Sequence, residues 1–383
     1  MLPAVRDAWV EQSGHLGNPS SLHASGRRAR RAVEESRESI AARLGVRPSA
    51  VVFTSGGTEA DNLAVKGLYW SRRAAVGADG VLASAIEHHA VLDPVVWLQE
   101  QQGADVTWLA VDPLGRVDVA EIEAALAAPD RVGVCTVMWA NNEIGTVQPV
   151  HAIAALCRAA GVPFHTDAVQ ALGYLPLDLG ALDADAVTIS SHKIGGPFGV
   201  GALIVDPHVQ LTPVLHGGGQ EREVRSGTLD AAAIVGFAVA VEHAVAGQAD
   251  RFDRLVVLRE ELIAGIRAAV PAAILNGDPG IGAGQRLPGN VHFSFPGCEG
   301  DLLLMLLDAA GIDCSTGSAC TAGIPEPSHV LLAMGVNESL SRSSLRFSLG
   351  EGTTPADIAA VIAALPGAVE RARRAGSLAP RMG

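Results

Sequence analysis

Short apolar, β-branched runs alternate with amphipathic stretches over the first two-thirds of the chain. The apolar runs predict strands at residues 51–55, 81–85, 106–110, 132–138, 162–166, 186–190 and 201–205. Between several of them lie patterns of helical period, at residues 59–69, 90–101, 119–126 and 151–160. Such alternation indicates an α/β fold in which helices cover both faces of a mostly parallel sheet. Ligands of these sheets bind beyond the carboxyl ends of the strands, so we seek the site there.

The pattern changes near residue 248. A long helical pattern at residues 229–246 is followed by Gly-Gln-Ala-Asp at 247–250, which we interpret as a domain junction. Beyond it the pattern predicts helices at 251–269, at 300–310 and from Pro355, with strands near Ile274 and at 291–295. We therefore predict a large domain over residues 1–248 and a smaller α+β domain over residues 249–383.

Composition excludes several classes of protein. The 383 residues are 48% hydrophobic and 18% charged, as in packed globular domains. The net charge of −13 provides no basic surface for nucleic acid or for an anionic membrane. No apolar run approaches the ~20 residues of a bilayer span, and the first residues lack a secretory pattern, so we expect a cytoplasmic protein. The five cysteines form no CxxC pair, which argues against a zinc ribbon and a disulfide framework.

Lysine is scarce in this chain. Of the 28 basic residues only Lys66 and Lys193 are lysines. An amine can lose its proton near neutral pH in a suitable environment, whereas a guanidinium cannot. Codon usage explains the scarcity equally well, so the count only directs attention to these two positions.

Three polar segments each follow a predicted strand. Residues 55–60, Ser-Gly-Gly-Thr-Glu-Ala, open a helix, and glycines there let a phosphate approach the helix N-terminus. An ordinary tight turn with Thr58 as the N-cap gives the same pattern. Asp167 ends a strand, either as the partner of a cofactor's ring nitrogen or as an N-cap. Lys193 follows an apolar strand and precedes a glycine turn, an unusual place for a lysine that is merely a surface charge.

Together these segments resemble the cysteine desulfurases of NifS/IscS type, which belong to the class-V aminotransferases of pyridoxal-phosphate fold type I. The matching motifs are SGGTEADN, HTDAVQ and SSHKIGGP, with further matches at IEHHAVL, NNEIGTVQP, HGGGQEREVRSGT, STGSACTAGIPEPSHVL and SSLRFSLG. They run in unbroken order from about residue 3 to about residue 366. The resemblance implies a seven-stranded, mostly parallel sheet in the large domain and a mobile cysteine loop in the small one.

The resemblance also implies pyridoxal 5'-phosphate as the cofactor and a role for each matched residue. Lys193 matches the lysine of the internal aldimine, His88 the catalytic histidine stacked on the ring, and Asp167 the partner of the ring nitrogen. The other implied cofactor contacts are Gln170 and Asn142 at the ring, Gly57, Thr58, Ser190 and His192 at the phosphate, and Thr228, which the family supplies from the neighbouring subunit. The implied substrate contacts are Asn18 and Arg346 at the carboxylate, and Asn142 again.

Cys320 determines which reaction the resemblance implies. Its motif GSACT is similar to that of the desulfurase nucleophile, whose thiolate attacks the sulfur of a substrate–cofactor ketimine and leaves L-alanine and a persulfide. A buried structural cysteine is the ordinary alternative, although the small and polar residues from 317 to 327 favour a loop. No stable metal site is expected, and Cys320 is a candidate transient ligand of a cluster.

The resemblance therefore implies a homodimeric cysteine desulfurase with shared active sites. It takes L-cysteine and delivers sulfur to an iron–sulfur scaffold or to a tRNA-thiolating enzyme. Two alternatives stay open, a selenocysteine lyase and a catalytically impaired desulfurase-like scaffold of a sulfur system. The second arises because family members usually begin with a strand and loop reading like LDNAATT, and this chain starts just after that point.

Overall fold

The computed structural model describes residues 1–280, 285–317 and 327–378, and the chain divides into two compact units. The first consists of Met1–Leu109, Asp118–Trp139 and Gln148–Gln248. The second consists of Ala110–Val117, Ala140–Val147 and Ala249–Gly383. Two short segments that precede residue 248 therefore group with the C-terminal part of the chain. The domain boundary given above stays a prediction.

A seven-stranded sheet forms the centre of the first unit. Its strands are β1 (Val51–Thr54), β2 (Gly80–Ser84), β3 (Asp105–Leu109), β4 (Val132–Thr136), β5 (Phe164–Asp167), β6 (Ala186–Ser190) and β7 (Gly201–Val205). Their order is β1-β7-β6-β5-β4-β2-β3, and only β7 runs antiparallel to its neighbours. Every residue of β4 to β7 is buried, as expected for a sheet covered on both faces. The predicted mostly parallel α/β sheet is confirmed.

Seven helices accompany this sheet in the described part of the first unit. They are α1 (Pro3–Ser13), α2 (Ala24–Arg43), α3 (Gly57–Val76), α4 (His89–Gln102), α5 (Val119–Ala125), α6 (Val150–Ala160) and α7 (Ala231–Ala246). Leu63 and Leu68 of α3 lie in one apolar cluster with Leu98 of α4 and with Val81 and Val134 of the sheet. This buried stripe recurs at helical spacing, so it holds α3 against the sheet.

The second unit contains a small antiparallel sheet of order β10-β9-β8. Its strands are β8 (Ile274–Leu275), β9 (Asn290–Ser294) and β10 (Ser344–Ser348), and its helices are α8 (Gln248–Ala269), α9 (Gly300–Asp308), α10 (His329–Ala333), α11 (Glu338–Arg342) and α12 (Pro355–Leu378). The periodicity did not predict α10, α11 or β10. Elements of five residues are too short to establish a hydrophobic period.

None of the described helices is by itself both long and apolar enough to cross a bilayer. Taken together, α7 and α8 meet the length and composition expected of a membrane span, but the pair is bent by 67°.

Candidate active site

The predicted lysine and aspartate lie at the same edge of the seven-stranded sheet. Asp167 is the last residue of β5, and Lys193 lies in the short 3₁₀ turn His192–Ile194 that follows β6. These two strands pair in parallel, with Asp167 opposite Thr188. Burial raises the pKa of Asp167 to about 8, and the nearby Lys193 ammonium opposes that rise. The amine and the carboxyl are therefore within electrostatic reach of each other.

The Asp167 carboxyl does not cap a helix. Its Oδ1 atom accepts a hydrogen bond from the backbone amide of Val169 at 2.8 Å, which closes a turn just beyond the strand. The side chain is fully buried, and an ionised carboxylate in such a place needs a cationic partner. A protonated ring nitrogen is a partner of that kind.

The glycine turn before α3 lies against the same strand ends. The N-cap residue of α3 is Gly56, so the alternative that Thr58 caps this helix is wrong. A Cβ atom added to Gly57 would lie 3.1 Å from Cγ2 of Val169 and 3.7 Å from Cβ of Ser190. The first amides of a helix have no acceptor within it, and here they lie beside β5 and β6. The turn is therefore suited to an anion.

Ser190 and His192 form a hydrogen-bonded pair next to this turn. The Ser190 Oγ and His192 Nδ1 atoms are 2.7 Å apart, and the imidazole stacks on the exposed Phe198 ring with centroids 6.0 Å apart. Burial and the neighbouring Lys193 charge lower the pKa of His192. A neutral imidazole and a hydroxyl therefore stand beside the start of α3.

His88 is the N-cap residue of α4. Its Nδ1 atom accepts a hydrogen bond from the Ala90 amide at 3.1 Å, which leaves the proton of the neutral ring on Nε2. The preceding residue, Glu87, is fully buried, and its Oε1 atom accepts from the Met138 amide at 2.7 Å. Repulsion from Asp167 is one cause of the raised pKa of Glu87, after burial. His88 is therefore the chain neighbour of Glu87, which lies near Asp167.

Three other predicted contacts belong to the first unit. Gln170 is half-buried three residues after Asp167, and Thr228 is exposed. Asn18 is also exposed, and its Oδ1 atom accepts from the Ser20 amide at 2.9 Å. Their predicted roles stay predictions.

The remaining predicted residues belong to the second unit. Arg346 on β10 donates from Nη1 to the backbone carbonyl of Asn142 at 3.0 Å. Its Nε atom is buried without a hydrogen-bond partner in the described part of the chain, and burial lowers the pKa of this guanidinium. A buried N–H group of this kind is suited to an anionic partner. Cys320 lies outside the described residues.

Three buried titratable residues behind Asp167 were not predicted, namely Asp61, Glu87 and His165. The His165 ring lies 2.9 Å from the Thr136 hydroxyl through Nδ1 and 3.0 Å from the Thr188 hydroxyl through Nε2. One signal was present in the sequence, because residues 165 and 167 of a strand project to the same face. The nearness of Asp61 had no such signal, since it depends on how α3 packs on the sheet.

These residues fit a pyridine ring that carries a phosphate. The buried Asp167 carboxyl suits a cationic ring nitrogen, and the space at Gly57 suits an anion. The Lys193 amine supplies the group that can bond to the cofactor. Asp167, Lys193, Ser190 and His192 all come from the carboxyl ends of β5 and β6, where α/β sheets bind their ligands.

Comparison with known proteins agrees with this class of site. The chain belongs to the aminotransferase class-V family, whose model it matches over residues 1–361. It is similar to the IscS-like cysteine desulfurase of Mycobacterium tuberculosis, with 53% identity over 98% of this chain and 95% of the relative. The cysteine desulfurase IscS of Clostridium botulinum is 42% identical over 95% of this chain and 90% of the relative.

A solved structure gives the same result. The NifS-like protein from Rickettsia africae superimposes with a TM-score of 0.85 and 31% sequence identity, covering 97% of this chain and 96% of that one. Within the class-V aminotransferases, these relatives are cysteine desulfurases and a NifS-like protein, so the resemblance carried by the motifs is confirmed.

Proposed function

We propose that this chain is a pyridoxal-phosphate enzyme that removes sulfur from L-cysteine and releases L-alanine. The observation that carries the proposal is the position of Lys193 beside the buried Asp167 at one edge of the sheet. When bound, pyridoxal phosphate withdraws electrons from the Cα atom of the amino acid joined to it. The relatives named cysteine desulfurase support this choice of substrate and do not favour a selenocysteine lyase or an impaired scaffold.

Each residue near Lys193 has a distinct task in this proposal. Lys193 holds the cofactor through its amine and moves a proton at Cα of the substrate. Asp167 would keep the ring nitrogen protonated, and His88 would contact the ring. The amides of Gly57 and Thr58, with Ser190 and His192, bind the phosphate. Gln170 and Asn142 contact the ring, and Thr228 completes the phosphate site of the neighbouring subunit.

Binding of the substrate carboxylate is assigned to Arg346 and Asn18. The planar guanidinium of Arg346 is suited to a carboxylate because it donates two parallel hydrogen bonds. Its Nε–H group, buried and without a partner among the described residues, supports this role.

Cys320 is the proposed sulfur acceptor. Its thiolate forms a bond to the sulfur of the substrate while the carbon–sulfur bond breaks. The electron pair of the broken bond stays with carbon, which takes up a proton, so the products are L-alanine and a persulfide on Cys320. The sulfur then passes to an iron–sulfur scaffold or to a tRNA-thiolating enzyme, and the chain acts as a cytoplasmic homodimer. The IscS names of the relatives support this delivery role.

Mass spectrometry after incubation with L-cysteine tests the cofactor, the substrate and the nucleophile together. The wild-type protein should gain the mass of one sulfur on the peptide that contains Cys320. Cys314→Ser is the matched control, because it removes a thiol six residues away and should leave the gain intact. Cys320→Ser should keep the yellow colour of the cofactor and lose the added sulfur. A gain on another cysteine, or none with the cofactor bound, would refute the proposal.

A further inference from the structure

An ion pair adjoins the proposed phosphate site. The Nε atom of Arg225 donates to Oε1 of Glu59 at 2.6 Å, and its Nη2 atom donates to Oε2 at 3.2 Å. Glu59 is the third residue of α3 and directly follows Thr58. The two side chains are only 14% and 15% exposed. The contact is therefore bidentate and largely shielded from solvent.

Glu59 is held at the beginning of the helix by a second hydrogen bond. Its Oε2 atom also accepts from the backbone amide of Ser55 at 2.7 Å. Although burial opposes ionisation, the hydrogen bonds from Arg225 and Ser55 lower the pKa of Glu59, so it is a carboxylate at neutral pH. A negative charge at this position stabilises the helix. It also repels an anion that binds to the nearby amides of Gly57 and Thr58.

We propose that Arg225 neutralises Glu59 and thereby allows the start of α3 to bind a phosphate group. Arg225 is then a positioning residue for the phosphate of the cofactor, one step removed from the phosphate itself. This inference rests on the proposed function, since it concerns the same anion site. The inference goes beyond the proposed function, because none of the proposed chemical steps requires a charge partner for Glu59.

The segment that carries Arg225 is itself firmly held. Arg222 and Glu223 have φ angles of 54° and 62°, the two positive values found for residues other than glycine in the described chain. Such conformations cost energy and persist only where the surroundings enforce them. Here Glu221 enforces them, because its buried carboxylate binds Arg37 at 2.7 and 2.8 Å and accepts from the Phe53 amide at 2.8 Å.

Arg225 also contacts the chain next to Thr228. Its Nη1 atom donates to the carbonyl of Gly227 at 3.4 Å, and the Gly227 amide donates to the Gln220 side chain at 2.7 Å. One guanidinium therefore links the turn before α3 with the residue that precedes Thr228. The turn is a proposed contact of this subunit's phosphate, and Thr228 is a proposed contact of the neighbouring subunit's phosphate. Loss of Arg225 should therefore affect phosphate binding more than ring binding.

The test compares pyridoxal phosphate with pyridoxal, which lacks the phosphate, as ligands of the cofactor-free protein. Arg225→Gln should weaken the affinity for pyridoxal phosphate about tenfold or more, because it leaves a charge uncompensated at a poorly solvated site. Pyridoxal affinity should stay within about twofold, since the ring contacts remain. Arg225→Lys keeps the charge and should retain most of the affinity. Absorbance titration measures the dissociation constants of both ligands for the wild type and for each variant.

A double variant separates electrostatics from structure. Glu59→Gln combined with Arg225→Gln removes both charges and should recover the affinity for pyridoxal phosphate to within about threefold of Glu59→Gln alone. Inorganic phosphate should raise the melting temperature of the cofactor-free wild type and of the double variant more than that of Arg225→Gln. Arg222→Gln is the control for a loosened segment, because Arg222 donates hydrogen bonds to the carbonyls of Ser49 and Val51.

Four results would overturn the inference. They are an unchanged affinity of Arg225→Gln for pyridoxal phosphate, equal losses for the two ligands in Arg225→Gln, no recovery in the double variant, and an equal loss in Arg222→Gln. If Arg225→Gln does not fold, the comparison of Arg225→Lys with the double variant decides the question. A wild-type protein that binds no pyridoxal phosphate would instead refute the proposed function. A wild type that binds it with an unchanged Arg225→Gln would refute this inference alone.

Discussion

The Oδ1 atom of Asp61 lies 3.5 Å from the Nε2 atom of His165, and both side chains are buried completely. Burial raises the pKa of Asp61 to about 7 and lowers that of His165 to about 4. Between these values the acid is protonated and the ring is neutral, so this contact is not an ion pair. Asp167 and Glu87 are the other buried acids nearby, and their like charges disfavour ionisation of the group. Between about pH 4 and pH 7, therefore, the neighbouring Asp61 and His165 side chains are uncharged.

The cofactor-free protein should lose stability as the pH rises towards 8. A folded pKa of about 7 for Asp61, above the ordinary value of 3.8, stabilises the fold fully below pH 4. This contribution to the free energy of unfolding, on the order of 2–4 kcal/mol, is lost as the pH rises from about 4 through 7. Asp167, whose folded pKa is about 8, adds a similar loss of stability that continues to about pH 8. Asp61→Asn should make the fall of the melting temperature between pH 5 and pH 8 shallower. Asp130→Asn, at the surface, should leave the slope unchanged, and an unchanged slope in Asp61→Asn would contradict this account.

The two lysines provide a direct test of the cofactor's attachment. Borohydride reduction of the loaded protein should attach the cofactor to the peptide that contains Lys193. Lys66 is the matched control, because burial lowers its pKa, and its amine lies 2.9 Å from Asn62 Oδ1 and 4.6 Å from the Trp97 ring centre. Lys66→Arg should keep the reduced adduct and the visible absorbance, whereas Lys193→Ala should lose both. An adduct on Lys66 in the wild type would exclude Lys193 from this role.

Asp167→Asn should lower the rate of alanine formation about 100-fold or more, because an amide cannot hold a proton on the ring nitrogen. The cofactor should still bind, with an altered absorbance maximum. Asp185→Asn is the control at the opposite end of β5, where the carboxylate accepts from the Phe164 amide at 2.9 Å. That variant should lose stability but keep the spectrum of the wild type. Equal rates for Asp167→Asn and the wild type would argue against a ring-nitrogen partner.

Gly317→Ala should destabilise the second unit more than Gly311→Ala. Both glycines have left-handed backbones, with φ of 84° and 77°, so both substitutions cost about 1–2 kcal/mol from this source. An added Cβ at 317 would also lie 3.0 Å from His292 Nε2 and 3.2 Å from Glu143 Oε2, while nothing lies within 4 Å at 311. His292 is fully buried and bonded to Asn276 at 3.0 Å, so it has little room to move.

The extra crowding should cost about 1–3 kcal/mol, visible as a lower midpoint of urea unfolding for Gly317→Ala. Glu143 is itself constrained, because its Oε2 atom accepts from the Ser328 hydroxyl at 2.5 Å. Equal midpoints for the two alanine variants would mean that these neighbours move aside without cost.

Local pattern was enough to predict the seven strands of the first unit, each end to within two residues. The predicted strand at 201–205 has those bounds in the structure, and the one at 162–166 begins two residues later and ends at Asp167. Hydrophobic period and residue type act over a few residues, and both are visible in the chain. The Arg37 and Glu221 contact joins residues 184 positions apart, and no local pattern indicates it.

By itself the sequence determined the class of fold, the motifs and the chemical type of each candidate residue, because these depend on side-chain chemistry and short-range periodicity. Only the tertiary structure decided which strands are neighbours, and therefore that Asp61, Glu87 and His165 surround Asp167 and that Glu59 meets Arg225. Burial and like-charge repulsion shift a pKa through the surrounding space rather than along the chain. The electrostatics of this site consequently follow from packing.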